Sequence, residues 1–167
     1  MTKKIWYGAY SVQTMANVCL ILGTAGLLFI QVLLRYVFKA PLMGIEELII
    51  FPSIWMYMLG GASASWERSH IDCGILTLLI KREFSWNLFF FIRCLVMAGI
   101  SFWLLKWAWW YFAYSMRVGK TSALLHIPMV IAESSIFIGL FLMTIYSVVE
   151  TVDYGLAVFG LKKKTKE

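Results

Sequence analysis

Glu133 and Lys106 are the residues of this chain whose types and positions could support proton or ion chemistry. Glu133 is the acidic residue deepest within an apolar segment, and Lys106 lies in the apolar segment that precedes it. An ionisable side chain inside a membrane is a candidate for a transport pathway, but such carboxylates usually pair with a cation. We therefore favour an ion pair between Glu133 and either Lys106 or Arg117 over a role in transport.

The histidines and cysteines do not fit a common cofactor. His70 follows the second apolar segment and His126 precedes the fourth, so a membrane would separate them, whereas two axial ligands must meet at one haem iron. Cys19, Cys73 and Cys94 are far apart and form no C-x-x-C pair, so zinc and thiol redox sites lack their ligands. We expect no cofactor, no metal site and no catalytic site in this chain, and hence no enzyme.

The composition indicates an integral membrane protein. The 167 residues are 61% hydrophobic and 14% charged, and their mean hydropathy is +0.78. A soluble domain has about 25% charged residues. The net charge of +6 comes from basic residues that flank apolar segments, a pattern that membrane topology explains better than nucleic-acid binding.

The apolar segments predict an all-α protein that forms a single membrane domain over residues 1–167. Each segment is long enough for a transmembrane helix, which needs ~20 apolar residues. The four crossings are expected at about residues 10–38, 45–66, 86–116 and 127–151. The first apolar run is too long for a signal peptide and is interpreted as a retained crossing.

Residues 71–83 are expected to form a short amphipathic helix between the second and third crossings. Their apolar stretch is too short to cross a bilayer, so the helix would lie in the interface plane. With four crossings both termini share one side, and that side carries more Lys and Arg than the other. The positive-inside rule places both termini in the cytoplasm.

The first crossing carries its polar residues on one helix face. These residues recur at spacings of three, four and seven, and they are Tyr10, Gln13, Asn17, Thr24 and Gln31. Lipid cannot satisfy their hydrogen bonds, so this face must meet other polar groups. Packing within the bundle and a seam with another subunit are both consistent with this pattern.

Charged residues lie at the mouth between the first and second crossings. Arg35 and Tyr36 mark the exit of the first helix into the interface. Glu46 and Glu47 fall in the first turn of the second, where the helix dipole favours carboxylates. A structural role as helix caps, with Arg35 or Lys39 within reach, is the default interpretation, and docking of a partner is the alternative.

Small residues follow in the second crossing. Gly60 and Gly61 pair with Ala64 and Ser65 at the four-residue spacing that lets helix backbones approach closely. Pro52, earlier in the same helix, is expected to kink it. We expect the small-residue stretch to pack against a neighbouring helix.

Arg93 and Lys106 belong to the third crossing. Their spacing corresponds to ~20 Å along a helix, which is less than the ~30 Å hydrocarbon thickness. Both side chains can therefore extend to opposite interfaces. Arg93 is then close to the mouth that holds Glu150 and Asp153, and an ion pair with one of these two is expected.

The order of several short motifs resembles the DctQ-like small membrane subunit of tripartite ATP-independent periplasmic (TRAP) transporters. The motifs are LLRYVF-x-x-PL around Arg35–Phe38, EEL at Glu46–Leu48, LGGA ending at Ala62, HID at His70–Asp72, and an Ile-Pro-Met opening to the fourth helix. The resemblance covers essentially the whole chain.

This resemblance implies an accessory subunit that anchors a large elevator-type membrane subunit in the bacterial inner membrane. The large subunit would hold the substrate and sodium sites, and a periplasmic binding protein would deliver an organic acid such as a C4-dicarboxylate or a sialic acid. The partner-binding residues expected on this basis are Arg35, Tyr36, Glu46, Glu47, Gly60, Gly61, Ala64, Arg68, His70, Asp72, Gln13 and Asn17.

The alternative hypothesis is a free-standing small transporter or proton channel that uses Glu133 and Lys106. Transporters commonly show internal repeats and helices broken at the midplane. The two halves of this chain show no convincing repeat, and Pro52 lies nearer one mouth than the centre. The accessory-subunit hypothesis is therefore favoured.

Overall fold

The computed structural model describes residues 2–40, 42–67 and 83–158, most of which belong to long α-helices. The helices are α1 (Thr2–Tyr36), α2 (Met43–Glu67), α3 (Glu83–Val118) and α4 (Val130–Val158). All four contain a segment long and apolar enough to cross a membrane: Tyr10–Tyr36, Met43–Glu67, Leu88–Val118 and Val130–Val158. The described part of the chain is thus all-helical, as the composition predicted.

The start of the fourth helix differs from its prediction. The helix begins at Val130, because Pro128 belongs to the preceding loop and forms an isolated antiparallel bridge with Thr121. Glu133 consequently lies in the first helical turn instead of deeper in the crossing. The interfacial helix expected at 71–83 falls outside the described residues, apart from Glu83, where α3 begins.

The helices pack in the order α1–α2–α4–α3. Helix α4 contacts α2 on one side and α3 on the other, while α1 packs mainly on α2. Helix α4 is accordingly the most buried of the four, and α1 is the most exposed. Helices that are neighbours in sequence therefore need not be neighbours in space, since α4 separates α3 from α2.

Aromatic rings join three helices near the end of the molecule that holds the start of α1. Tyr10 of α1 stacks on Trp66 of α2 with ring centroids 5.1 Å apart. Trp66 in turn meets Tyr146 of α4 edge-on at 5.3 Å. Such pairs add to the stabilisation that burial provides, so this layer holds α1 and α4 against α2.

Glycines set the distance between α2 and α4. A Cβ atom at Gly139 would lie 2.7 Å from Met58 Cβ and 3.1 Å from the Met58 carbonyl oxygen. Gly61 of α2 also lies against α4, where it faces the end of the flexible Met143 side chain. Only glycine fits at position 139, because its contact atoms belong to the rigid part of Met58.

We predict that Gly139→Ala destabilises the helix pair. The added methyl group must push α2 away from α4, and overpacking of this kind costs about 1–3 kcal/mol. The measurement is thermal unfolding in detergent, with Gly99→Ala in α3 as the control, since nothing lies within 4 Å of a Cβ there. Equal melting temperatures for the two variants would contradict the close approach.

Candidate functional site

Glu47 holds the loop between α3 and α4 against the start of α2. Its carboxylate accepts backbone N–H bonds from Ala123 at 2.7 Å, Leu124 at 3.1 Å and Leu125 at 2.8 Å. Hydrogen bonds to an ionised acceptor are stronger than neutral ones. Glu47 is therefore a structural anchor for a loop far away in sequence, a role that its position in a helical first turn did not indicate.

The loop of residues 119–129 has the backbone shape that this contact requires. Gly119 ends α3 with φ of +60°, and its N–H bonds the Ser115 carbonyl at 3.0 Å, as in a common helix C-terminal motif. His126 also adopts a positive φ, +51°. With these two positive φ angles, at Gly119 and His126, the loop directs N–H groups towards α2.

Glu46 has a different neighbour from Glu47. One of its oxygens accepts a hydrogen bond from Gln31 Nε2 of α1 at 2.9 Å, and the side chain is exposed. Arg35 is exposed too, and its guanidinium lies 5.9 Å from the Tyr36 ring centroid. Among the described residues neither Arg35 nor Lys39 forms an ion pair with the two glutamates, which bond Gln31 and the loop.

These residues line one groove between the end of α1 and the start of α2. The groove has a volume of about 580 Å³. Its polar lining consists of Gln31, Arg35, Glu46 and Glu47, and the rest of its wall is apolar, including Leu124 of the loop. We call this feature the mouth groove.

Gln13 joins three helices in the interior. Its Nε2 donates to the Leu59 carbonyl at 3.1 Å and to Ser63 Oγ at 3.0 Å, both in α2. Its Oε1 accepts from the Tyr146 hydroxyl of α4 at 2.7 Å. The side-chain amide is buried with both its ends bonded inside the chain.

Other members of the polar face of α1 also turn towards this chain. The Tyr10 hydroxyl bonds Glu67, Gln31 bonds Glu46, and Thr24 bonds the Leu20 carbonyl of its own helix. Asn17 lies beside Gly60 of α2, 3.7 Å from where a Cβ would stand. Between the two interpretations of this face, the contacts favour packing within the chain.

Glu133 is buried against two hydroxyl groups of α3. It accepts hydrogen bonds from Tyr111 at 2.8 Å and from Ser115. The expected ion pair with Lys106 or Arg117 is not formed in the described part of the chain. Tyr111 and Ser115 are four residues apart and share one helix face, whereas the two basic residues point elsewhere on α3 and are exposed.

Arg93 and Glu150 meet at the other end of the α3–α4 pair. Arg93 Nη2 lies 4.0 Å from Glu150 Oε1, and the guanidinium also lies 4.7 Å from the Phe90 ring centroid. Glu150 is buried. This ion pair joins the two helices, and of the two partners that the sequence left open for Arg93 it is Glu150 that lies beside it.

The remaining predicted site residues are placed only in part. Tyr36 is exposed, and Gly60, Gly61 and Ala64 are half-buried in α2. Arg68, His70 and Asp72 lie outside the described residues. Within the described ranges, no group of three or more His, Cys, Asp or Glu residues could hold a metal ion.

Sequence reasoning missed the uncharged partners. Tyr111, Ser115 and Tyr146 each bond a polar side chain of another helix. The four-residue spacing of Tyr111 and Ser115 is a signal that could have revealed a polar patch on α3. The sequence does not show which carboxylate contacts this patch, because that depends on how α4 packs against α3.

Four long apolar helices, each long enough to cross a membrane, define a multi-pass membrane protein. The family model for the DctQ component of tripartite ATP-independent periplasmic transporters matches residues 24–154. This match covers most of the chain and reaches all four helices, so the chain belongs to the DctQ family and is a transporter component. A comparison with curated proteins gave no match.

We predict that Glu47→Ala loosens the 119–129 loop. Without the carboxylate the amides of Ala123, Leu124 and Leu125 lose their acceptor, and hydrogen exchange in this segment should accelerate on the order of tenfold. Exchange measured by mass spectrometry tests this directly. Glu46→Ala is the matched control, since Glu46 contacts Gln31 and not the loop, and equal exchange in both variants would contradict the anchoring role.

Proposed function

We propose that this chain is the fixed accessory subunit of a TRAP transporter and anchors a large elevator-type membrane subunit. Membership of the DctQ family is the observation that carries the proposal. On this basis the complex imports an organic acid, such as a C4-dicarboxylate or a sialic acid, across the bacterial inner membrane. A periplasmic binding protein delivers the acid, and sodium binds in the large subunit.

The distribution of polar contacts supports a scaffold role. Gln13, Glu133 and Arg93 each bond another helix of the same chain. A transport pathway instead needs polar groups that converge on a cavity at depth. Residues engaged in this way stabilise one arrangement of helices, which suits a subunit that stays fixed while another moves.

The outer helices of the row offer surface for a partner. Helices α1 and α3 have one main neighbour each, and they expose large apolar side chains such as Leu22 at 68%, Phe102 at 67% and Trp103 at 67%. In a membrane these surfaces meet either lipid or another protein. They provide area for a hetero-complex without any change in the fold.

The first experiment is purification of this chain from its native membrane in mild detergent, with mass spectrometry of the proteins that accompany it. We expect a multi-spanning TRAP large subunit in about equal amount, because an anchor must remain bound to what it anchors. Recovery of this chain alone, or only as a homo-oligomer, would contradict the proposal and favour the free-standing transporter or channel.

We predict that Glu133→Gln leaves transport by the complex largely intact. Glutamine keeps an oxygen that can accept a bond from Tyr111 or Ser115, so the helix contact survives while the carboxylate is lost. Substrate uptake into proteoliposomes measures the result. Abolished uptake with normal assembly of the complex would show that the Glu133 carboxylate takes part in transport. The assembly itself is checked by co-purification of the two membrane subunits.

A further inference from the structure

The mouth groove lies at the end of α1 and the start of α2, two helices that are long and apolar enough to cross a membrane. Arg35 is in the last turn of α1, and Glu46 is in the first turn of α2. The apolar spans that begin and end here are Tyr10–Tyr36 and Met43–Glu67. Aromatic and basic residues at such helix ends sit at the level of the headgroups, so the groove opens into the interface and its apolar wall continues towards the hydrocarbon core.

Arg35 lines this groove and has no acidic partner among the described residues. In the described ranges its contact is with the Tyr36 ring, and the side chain is exposed. A guanidinium carries five N–H donors in a planar fork that matches two oxygens of a phosphate. The two carboxylates of the same groove do not take these donors.

Those carboxylates differ in what they can still bind. Glu47 is occupied by the N–H groups of the loop. Glu46 bonds Gln31 through Oε1, and no described residue donates to its second oxygen. The groove therefore contains the Arg35 guanidinium, which has no carboxylate partner among the described residues. It also contains an oxygen of Glu46 that can accept one more hydrogen bond.

We propose that the mouth groove binds the headgroup of phosphatidylethanolamine. The lipid phosphate accepts hydrogen bonds from Arg35, and the primary ammonium donates to Glu46. The acyl chains lie against the apolar wall and the exposed side chains of α1 and α2. No covalent step is involved, and the site would secure the α1–α2 mouth in one leaflet.

The charges of the groove select this headgroup over the other common ones. Phosphatidylglycerol offers a phosphate for Arg35 but no cation for Glu46, and its net negative charge is repelled by two carboxylates. Phosphatidylcholine has a cation without an N–H donor. A protein segment would need an acid and a base at the spacing of one small headgroup, together with an apolar part that follows the wall into the membrane.

The test is lipid retention by the full chain purified in mild detergent, with any membrane subunit that accompanies it. Native mass spectrometry is used after exchange into equimolar phosphatidylethanolamine, phosphatidylglycerol and phosphatidylcholine. We expect retained phosphatidylethanolamine to exceed each of the other two by about tenfold, the effect of one charge-assisted hydrogen bond. Equal retention of the three lipids would overturn the proposal.

Two variants, Arg35→Gln and Glu46→Gln, test whether the retained lipid is bound in the mouth groove. Arg35→Gln should lower phosphatidylethanolamine retention by about tenfold, and Glu46→Gln should remove the preference over phosphatidylglycerol. Lys39→Gln is the matched control, because Lys39 is an exposed cation near the same helix end that does not line the groove. A loss of retention in Lys39→Gln as large as in Arg35→Gln would show a general charge effect and overturn the proposal.

The same samples separate lipid binding from subunit assembly. If Arg35→Gln reduces the amount of a co-purified protein and leaves lipid retention unchanged, the groove binds a protein and the lipid proposal is wrong. If the chain is purified alone yet retains phosphatidylethanolamine selectively, the lipid site stands while the proposed transporter function fails. Thermal unfolding of each variant confirms that the helices are intact before lipids are counted.

Discussion

A polar side chain buried between membrane-spanning helices is shielded from water, so a partner within the protein stabilises it. The structure of this chain depends on such contacts at three places. Gln13 bonds Tyr146, Glu133 bonds two hydroxyl groups of α3, and Arg93 lies beside Glu150. Each contact joins different helices, and unlike apolar packing each one is directional, so together they specify which helix faces meet.

Helix α4 contributes one member to each of these contacts, namely Tyr146, Glu133 or Glu150. This explains why α4 lies in the middle of the row and is its most buried helix. Gly139 adds to this arrangement, because without a side chain there α2 can approach α4 closely. Because α4 contacts helices on both sides, it stabilises the core of this small DctQ-family chain.

The surfaces that bear on function are those that the packing of the helices leaves exposed. The apolar surfaces of α1 and α3 are large and exposed, which agrees with the proposed binding of a larger membrane protein. At the mouth groove, Arg35 and one oxygen of Glu46 have no hydrogen-bonded or ion-pair partner among the described residues.

The sequence by itself determined the class of protein and the four helices, because the length and hydropathy of a segment decide whether it crosses a membrane, whatever it packs against. The order of its short motifs indicated the family. For Arg93 the sequence left two possible partners, Glu150 and Asp153, and the packing of α3 on α4 places Glu150 beside it. Only the tertiary structure decided the roles of Glu133 and Glu47. Glu133 bonds hydroxyl groups instead of a cation because the basic residues of α3 lie on other faces of that helix. Glu47 anchors a distant loop instead of capping its own helix because α4 brings that loop beside α2. Helical periodicity assigns a residue to a face, but which face of another helix it meets depends on how all four helices pack.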